Sequence, residues 1–256
     1  LVITTFRIIE RLIMKTLLVI AGGEGSRMGD FLKEEFSGIP KHILPLPTRG
    51  ISLIEAIIKG ADSFFDEIII EANYQTAIFF ESIFNGNKKV IVNIDDIHSG
   101  PLGPVARRLE EKERIYACVG DMFCEFSWSD FEKFHNAHTR PISILIASSM
   151  AVPNGARFII GPNNELSWER VVRTKENDLI NMGVYIVERS SETIRLFNDL
   201  NNLETTIRHK EDGFFDAAIR MGCVYAYNPG VLGFNINTPL TYQGLCTYLR
   251  KSDIRR

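Results

Sequence analysis

The apolar run Leu17–Ala21, which ends directly in glycines, constrains the fold of this chain more than any other segment. A short continuous apolar run is typical of a strand in a parallel sheet, because helices cover both faces of such sheets. Open sheets of this kind bind their ligands at the carboxyl ends of the strands. The sequence therefore predicts an α/β fold with a ligand site just after residue 21.

Strand-like and helix-like segments alternate after this run. Ser52–Glu55 has the form of a helix capping box, in which the serine and the glutamate each satisfy a backbone N–H group. The segments that predict strands are 67–71, 90–92 and 115–119, and those that predict helices are 52–60, 76–84 and 131–138. This alternation predicts parallel βαβ units.

The second half of the chain has a different pattern. Gly161–Asn164 is a hairpin signal between two strand-like segments, so antiparallel strands are expected to join the sheet here. The predicted strands are 142–147, 157–160, 166–172, 181–187 and 224–227, and the predicted helices are 192–200 and 214–221. We expect one domain over residues 14–256, with one half at 14–128 and a second half at 129–256.

The first 13 residues are expected to be an extension outside the fold, because Met14 stands directly before the first strand. A signal peptide is the alternative, although Glu10 and Arg11 interrupt its apolar region. A membrane-spanning helix needs roughly 18 or more apolar residues in a row, and the sequence has no such run. We therefore expect no membrane partner.

Composition excludes several classes of function. Lys and Arg number 29 against 32 Asp and Glu, which argues against a broad nucleic-acid-binding face, because such a face works by neutralising phosphates. The four cysteines, at 118, 124, 223 and 246, do not form a metal-binding pattern. They are too few for a disulfide scaffold and indicate a reducing cytoplasm.

The glycine loop after the first strand is the strongest candidate site. Glycines allow backbone N–H groups to approach phosphate oxygens closely. The loop matches neither the dinucleotide fingerprint, since Gly29 falls one position late, nor a Walker A motif, and a simple tight turn is the alternative interpretation. The candidate nucleotide-binding residues are Ala21, Gly22, Gly23, Glu24, Gly25 and Ser26.

Residues 18–46 resemble the signature of nucleotidyltransferases of the sugar-1-phosphate pyrophosphorylase type. The matching strings are LVIAGGEGSRMG and PKHILPL, which contain Arg27 and Lys41. Transfer of a nucleotidyl group leaves negative charge on the α-phosphate and on the departing pyrophosphate, and positioned cations stabilise that charge. The resemblance implies the nucleotide-diphospho-sugar transferase fold, a Rossmann-like and mainly parallel mixed sheet flanked by helices, with Arg27 and Lys41 as catalytic residues.

The same resemblance implies a magnesium site. Asp121, at the end of a predicted strand, corresponds to the aspartate that holds Mg²⁺ in this family, and an oxygen ligand in this position suits that ion. Asn237 is the expected second ligand, with Asn235 as the reserve, although many relatives carry Asp at this point. A turn or helix cap is the alternative role for Asp121, and Asn-Thr-Pro is also a plain turn signal.

Weaker strings indicate the base and acceptor sites. His98 and Gly103 are similar to the family's base-binding loop, in which a Gln usually stands where His98 does. The alternative interpretation of the segment that carries these two residues is a surface loop without a role in base binding. Two later segments, which carry four candidate residues for binding the sugar phosphate, resemble the acceptor-binding strings of the family. The alternative interpretation is that these segments are only a pair of half-exposed strands. These residues are Glu169, Arg170, Asn181 and Gly183.

The resemblance implies an enzyme that joins a nucleoside triphosphate to a sugar 1-phosphate with Mg²⁺ as cofactor and releases pyrophosphate. Two alternatives remain open. One is guanylyl or cytidylyl transfer to a non-sugar acceptor of the molybdopterin type, because Ser26–Gly29 also resembles those enzymes. The other is a nucleotide-binding protein without catalysis. The base, the sugar and the oligomeric state stay open.

Overall fold

The structure is a computed structural model that describes residues 14–23, 25–95, 102–150, 156–162, 165–201 and 207–254. The expected extension at residues 1–13 lies outside this range. The strands are β1 (Thr16–Ile20), β2 (Pro45–Leu46), β3 (Ile51–Ser52), β4 (Glu67–Ala72), β5 (Val90–Ile94), β6 (Arg114–Val119), β7 (Met122–Cys124), β8 (Ile142–Ser149), β9 (Ala156–Ile160), β10 (Leu166–Arg170), β11 (Leu179–Glu188), β12 (Val224–Tyr227) and β13 (Leu232–Asn235). The helices are α1 (Gly29–Phe36), α2 (Leu53–Ala61), α3 (Tyr74–Ile83), α4 (Leu102–Leu109), α5 (Trp128–Asn136), α6 (Ser191–Asn201), α7 (Ile207–Arg220) and α8 (Pro239–Ile254).

An eleven-stranded sheet runs through the described part of the chain in the order β5-β4-β1-β6-β11-β8-β13-β7. Strands β5, β4, β1 and β6 are parallel to one another, whereas β11 is antiparallel to both β6 and β8. The β9–β10 hairpin joins beside β11, and β12 pairs with β8. The predicted mixed sheet flanked by helices is therefore confirmed.

Strand β1 is central because its side chains are buried on both faces. Leu17 and Val19 are fully buried in one core cluster, to which α2, α3 and α5 also contribute side chains. Leu18 is buried in the opposite cluster, with residues of α4, α6 and α7. At its carboxyl end, Ile20 pairs with Glu71 of β4 and Val119 of β6, so the glycine loop leaves the sheet between two neighbouring strand ends.

Three helices were not predicted from the sequence. The interpretation of residues 98–104 as a loop is wrong from Leu102 onward, because α4 starts there and has Pro104 in its first turn, where proline is tolerated. Helices α1 and α8 were missed as well. The predicted strand 166–172 ends at Arg170, and Val172 is 87% exposed. None of the helices in the described ranges combines the length and the apolar character needed to cross a bilayer.

A chain of hydrogen bonds with a fixed direction joins α5 to β8 and β11. The Arg140 backbone N–H donates to His138 Nδ1 (3.2 Å), so the neutral His138 ring carries its proton on Nε2, 2.9 Å from Ser143 Oγ. The Ser143 hydroxyl then donates to His135 Nδ1 (2.8 Å), and His135 Nε2 donates to Glu188 (3.2 Å). Protonation of His138 would place two donors against each other at Nδ1.

This chain of hydrogen bonds predicts that acid destabilises the fold. Burial and the adjacent His135 ring lower the pKa of His138 to about 4 from an ordinary value of 6.5. The unfolded chain therefore binds this proton first, so the contribution of His138 to stability is complete above pH 6.5 and is lost as the pH falls toward 4. Over this pH range, the slope of unfolding free energy against pH should be smaller in His138→Gln than in the wild type, by an amount that corresponds to at most one proton taken up on unfolding. Equal slopes in the two proteins would contradict the prediction.

Candidate functional site

Backbone hydrogen bonds determine the path of the glycine loop after β1. Ala21 N–H donates to Glu71 O (2.8 Å), which extends the pairing with β4 by one residue. Gly25 has a φ of 67°, in the left-handed region that favours glycine, and its carbonyl accepts from Met28 N–H (2.8 Å). The chain then turns through a short 3₁₀ helix, Ser26–Met28, into α1.

Lys41 is held beside this loop. Pro40 has an extended conformation, and Lys41 begins a one-turn 3₁₀ helix directly after it. A Cβ atom on Gly25 would lie 3.6 Å from Lys41 Cγ and Cδ, so the lysine stem packs on the glycine backbone. Lys41 is only 7% exposed although it carries a charge. A buried ammonium needs oxygen partners, and the structure supplies two.

The partners of Lys41 Nζ are the predicted metal ligands. The ammonium forms an ion pair with the Asp121 carboxylate and donates to Asn237 Oδ1 at 2.8 Å. The Asn237 amide nitrogen in turn donates to Asn235 Oδ1. The structure thus brings Asp121 and Asn237 into contact with Lys41, and Asn235 contacts this group through Asn237.

Strand geometry explains why Asp121 reaches this point. It follows Gly120, where a Cβ atom would lie 3.1 Å from Ala21 Cβ and 3.3 Å from His42 Cδ2. Glycine therefore permits the end of β6 to approach the end of β1 closely. The Asp121 carbonyl accepts from Ile236 N–H (2.8 Å), which fixes the chain that leads to Asn237.

The electrostatics of the site keep Asp121 ionised. Burial by itself would raise the pKa of Asp121, but the Lys41 ammonium, with a smaller contribution from Arg27, holds it below its usual range. His42, which follows Lys41 in the chain, is only 2% exposed. Burial and then the charge of Lys41 lower the pKa of His42 to about 4, so its ring is neutral at pH 7.

A cavity of about 200 Å³ opens beside these charges. Its walls hold the glycine loop and both predicted catalytic cations, and the exposed Arg27 faces it together with Lys41. Such a volume suits phosphate groups rather than a whole nucleotide, because pockets for complete small-molecule ligands are roughly 300–1,000 Å³. The lining residues are Gly23, Gly25, Ser26, Arg27, Met28, Lys41 and Asn237.

The predicted base site is described only in part. Gly103 is buried in the first turn of α4, on the face of the sheet that Leu18 occupies. Glu24 and His98 lie outside the described residues.

The four predicted acceptor residues lie on β10 and β11. Glu169 forms an ion pair with Arg157 across the β9–β10 hairpin, and the Arg170 guanidinium lies 5.8 Å from the centre of the Trp168 ring. Asn181 donates to the Tyr185 hydroxyl (2.7 Å). These contacts do not join the four residues to Lys41.

Gly183 has a clear structural role. Its φ is 61°, and a Cβ atom there would lie 2.3 Å from Val119 Cγ2. The pairing of β11 with β8 shifts register between Asn181 and Tyr185, so Gly183 lies in a bulge. Its N–H donates to Asn181 Oδ1 (2.9 Å), and this fixes the direction of the asparagine side chain.

Two residues near the loop were missed by the sequence analysis. His42 follows Lys41 directly, and its buried Nδ1 has no hydrogen-bond partner within the described structure. Asn73 donates from Nδ2 to Gly22 O (2.8 Å) and is the N-cap of α3. The predicted start of that helix at residue 76 was late, and an Asn followed by a helical pattern was the signal for Asn73.

A larger cavity of about 950 Å³ lies elsewhere, between α2 and β7. Its lining is mainly apolar and includes Phe123, Phe126 and Met182, and the Arg49–Glu125 ion pair also borders it. Those predicted site residues that the structure describes do not line it.

The chain resembles known proteins in sequence and in fold. No protein-family model matches the sequence. The chain is 24% identical over 247 residues to mannose-1-phosphate guanyltransferase beta-A of Xenopus laevis. The match covers 91% of the chain and 64% of the relative, so the chain spans slightly less than two thirds of that protein's length.

Solved structures share the fold at lower identity. A protein described as a glucose-1-phosphate thymidylyltransferase of Bacillus anthracis has a TM-score of 0.71 and 14% identity, over 92% of this chain and 95% of its own. The inositol-1-phosphate CTP transferase of T. maritima has a TM-score of 0.64 and 15% identity, over 91% of this chain and 95% of its own. The chain is thus similar in sequence to mannose-1-phosphate guanyltransferase beta-A and shares its fold with these two solved structures.

Proposed function

We propose that the chain joins a nucleoside triphosphate to a sugar 1-phosphate to give an NDP-sugar and pyrophosphate. The observation that carries this proposal is the contact of the buried Lys41 ammonium with Asp121 and Asn237 beside the glycine loop. The names of the relatives support it, since they describe guanylyl, thymidylyl and cytidylyl transfer to a phosphorylated sugar or polyol.

The proposed reaction is a direct displacement at phosphorus. An oxygen of the acceptor phosphate attacks the α-phosphorus, and the bond to the β-phosphate oxygen breaks in line, so that pyrophosphate leaves with the electron pair. Lys41 and Arg27 stabilise the charge that develops on the transferring and departing groups. Loop N–H groups position the triphosphate. No covalent enzyme intermediate is required.

A magnesium ion fits the donor set at this site. Mg²⁺ is held by one or two protein oxygens together with waters and substrate phosphates, and Asp121 and Asn237 offer a carboxylate and an amide oxygen. When bound, the ion neutralises phosphate charge, and it would compete with the Lys41 ammonium for the two oxygens.

The remaining candidates are assigned to the base and the acceptor. We assign the base to His98 and Gly103, and the acceptor sugar phosphate to Glu169, Arg170, Asn181 and Gly183. The ion pair with Arg157 uses one oxygen of the Glu169 carboxylate and leaves the other to accept a hydrogen bond from a sugar hydroxyl. The presence of the β9–β10 hairpin favours a sugar acceptor over a molybdopterin-type one, because enzymes of the latter group tend to lack it. Four free thiols fit a reducing compartment such as the cytoplasm.

A pyrophosphate-release assay tests the proposal. Each nucleoside triphosphate is combined with a panel of sugar 1-phosphates, inositol 1-phosphate and a molybdopterin-type acceptor in the presence of Mg²⁺. We expect release that depends on one base and one sugar phosphate. Tight triphosphate binding with no release for any pair would instead indicate a binding protein, and release with the molybdopterin-type acceptor alone would move the assignment to the cofactor enzymes.

A further inference from the structure

The side chain of Asn73 connects the glycine loop to the start of α3. Its Nδ2 donates to the carbonyl of Gly22 at 2.8 Å, and its Oδ1 accepts from the backbone N–H of Thr76 at 2.8 Å. The side chain is partly buried between the two segments. One amide therefore serves both as the N-cap of a helix and as a partner of the loop.

The two hydrogen bonds fix the orientation of this amide. Gly22 presents a carbonyl oxygen, which needs a donor, and Thr76 presents an N–H group, which needs an acceptor. An amide flip would place oxygen against oxygen and N–H against N–H. Aspartate, serine or threonine could cap the helix equally well, but asparagine also supplies a donor on the opposite side.

The contact continues the β1–β4 pairing into the loop. Backbone pairing ends at Ile20 and Glu71, and one further bond joins Ala21 N–H to the Glu71 carbonyl. Gly22 still lies close to the end of β4, since a Cβ atom on it would be 3.5 Å from Asn73 N, and the Asn73 side chain supplies the hydrogen bond to the Gly22 carbonyl. Glycine has the most flexible backbone of all residues. A hydrogen bond to the first glycine of the loop therefore removes more conformational freedom than the same bond to another residue would.

We propose that Asn73 is a positioning residue that holds the glycine loop in the conformation that receives the triphosphate. This inference rests on the proposed function in that the loop is taken as the phosphate-binding segment. Asn73 acts through Gly22, and its function is to reduce the conformational freedom that the loop would lose on binding.

Two substitutions at residue 73 separate the loop contact from the helix cap. Asn73→Ser keeps an oxygen that accepts from Thr76 N–H, but the shorter hydroxyl side chain does not reach Gly22 O while it caps, and it adds no charge. Asn73→Ala removes both contacts. Ser127→Ala is the matched control, since Ser127 caps α5, a helix that packs on β8, by accepting from Asp130 N–H (3.2 Å).

The measurements are calorimetric titration with GTP, ATP, CTP, UTP and dTTP, thermal unfolding, and amide hydrogen exchange of the peptide containing Gly22 and Gly23 without nucleotide. For Asn73→Ser we expect about tenfold weaker binding of the preferred triphosphate, faster exchange in the loop and a smaller fall in melting temperature than in Asn73→Ala, because the helix cap is kept. Asn73→Ala should add a lower melting temperature. Ser127→Ala should lower the melting temperature and leave both loop measurements as in the wild type.

The outcomes distinguish this inference from the proposed function. Wild-type exchange and affinity in Asn73→Ser would overturn the role of Asn73 while the enzyme assignment stands. An equal loss of affinity in Ser127→Ala would also overturn it, since general destabilisation would then be the cause. If wild-type protein binds no triphosphate, the proposed function and the role of Asn73 in binding both fail.

Discussion

Replacement of Lys41 with methionine is expected to lower the rate of pyrophosphate release by a factor of about 100–1,000. Methionine keeps the length and the apolar stem of lysine, so it still packs on Gly25, but it lacks the ammonium group. Loss of one positioned group that stabilises transition-state charge typically costs a factor of this size. The Asp121 carboxylate also loses its buried partner, and we expect the unfolding free energy to fall by about 1–3 kcal/mol.

Steady-state kinetics under saturating substrates measure this effect, with circular dichroism to establish that the variant is folded. Lys59→Met is the matched control, because Lys59 is an exposed lysine on α2 that borders the larger cavity. The control should retain wild-type turnover. A Lys41→Met enzyme that also retains it would remove Lys41 from the catalytic machinery.

Replacement of Gly183 with alanine should be the most destabilising single-methyl substitution considered for this chain. The new Cβ would lie 2.3 Å from Val119 Cγ2, and a φ of 61° is strained for any residue with a Cβ atom. Backbone strain and overpacking each cost about 1–3 kcal/mol, so we expect a loss of about 3–5 kcal/mol in unfolding free energy. Equilibrium urea unfolding measures it.

Two further variants separate the causes of this loss. Gly230 has a φ of 72° and open space around its Cα, so Gly230→Ala should show the backbone strain alone, about 1 kcal/mol. Val119→Ala in the Gly183→Ala background removes the clashing methyl groups and should restore part of the stability. Equal losses in Gly183→Ala and Gly230→Ala would show that the contact with Val119 is not the cause.

Local patterns in the sequence were sufficient to predict much of the sheet and helix α2. The apolar run Leu17–Ala21 is typical of a strand covered on both faces, and the structure buries all of it except the half-buried Ile20. The Ser52–Glu55 capping box is also confirmed, since each backbone N–H bonds to the other side chain. These features were predictable because residues close in sequence determine them.

The missed helices show where local patterns fail. Helix α4 contains both Gly103 and Pro104, which ordinarily indicate a loop, and its apolar face packs on the sheet through Val105 and Leu109. Tertiary packing therefore overrides the local preference. The same reason applies to α8, whose first residue, Pro239, belongs to what was interpreted as a turn signal.

The site itself could be predicted only as a set of residues, not as a set of contacts. Lys41 is 80 residues from Asp121 and 196 residues from Asn237, and no periodicity relates positions so far apart. The choice between Asn235 and Asn237 depends on how β13 is aligned with β7, where Asn235 pairs with Met122. Sequence fixes neither this register nor the hydrogen bonds of Asn73.

The most direct test of this account is a crystal structure of the protein with a nonhydrolysable nucleoside triphosphate and Mg²⁺. We predict that the phosphates lie against the Gly22–Met28 loop, with oxygens about 3 Å from the Arg27 guanidinium and the Lys41 ammonium. Phosphates bound instead in the larger cavity between α2 and β7, with Lys41 still paired only with Asp121 and Asn237, would contradict it.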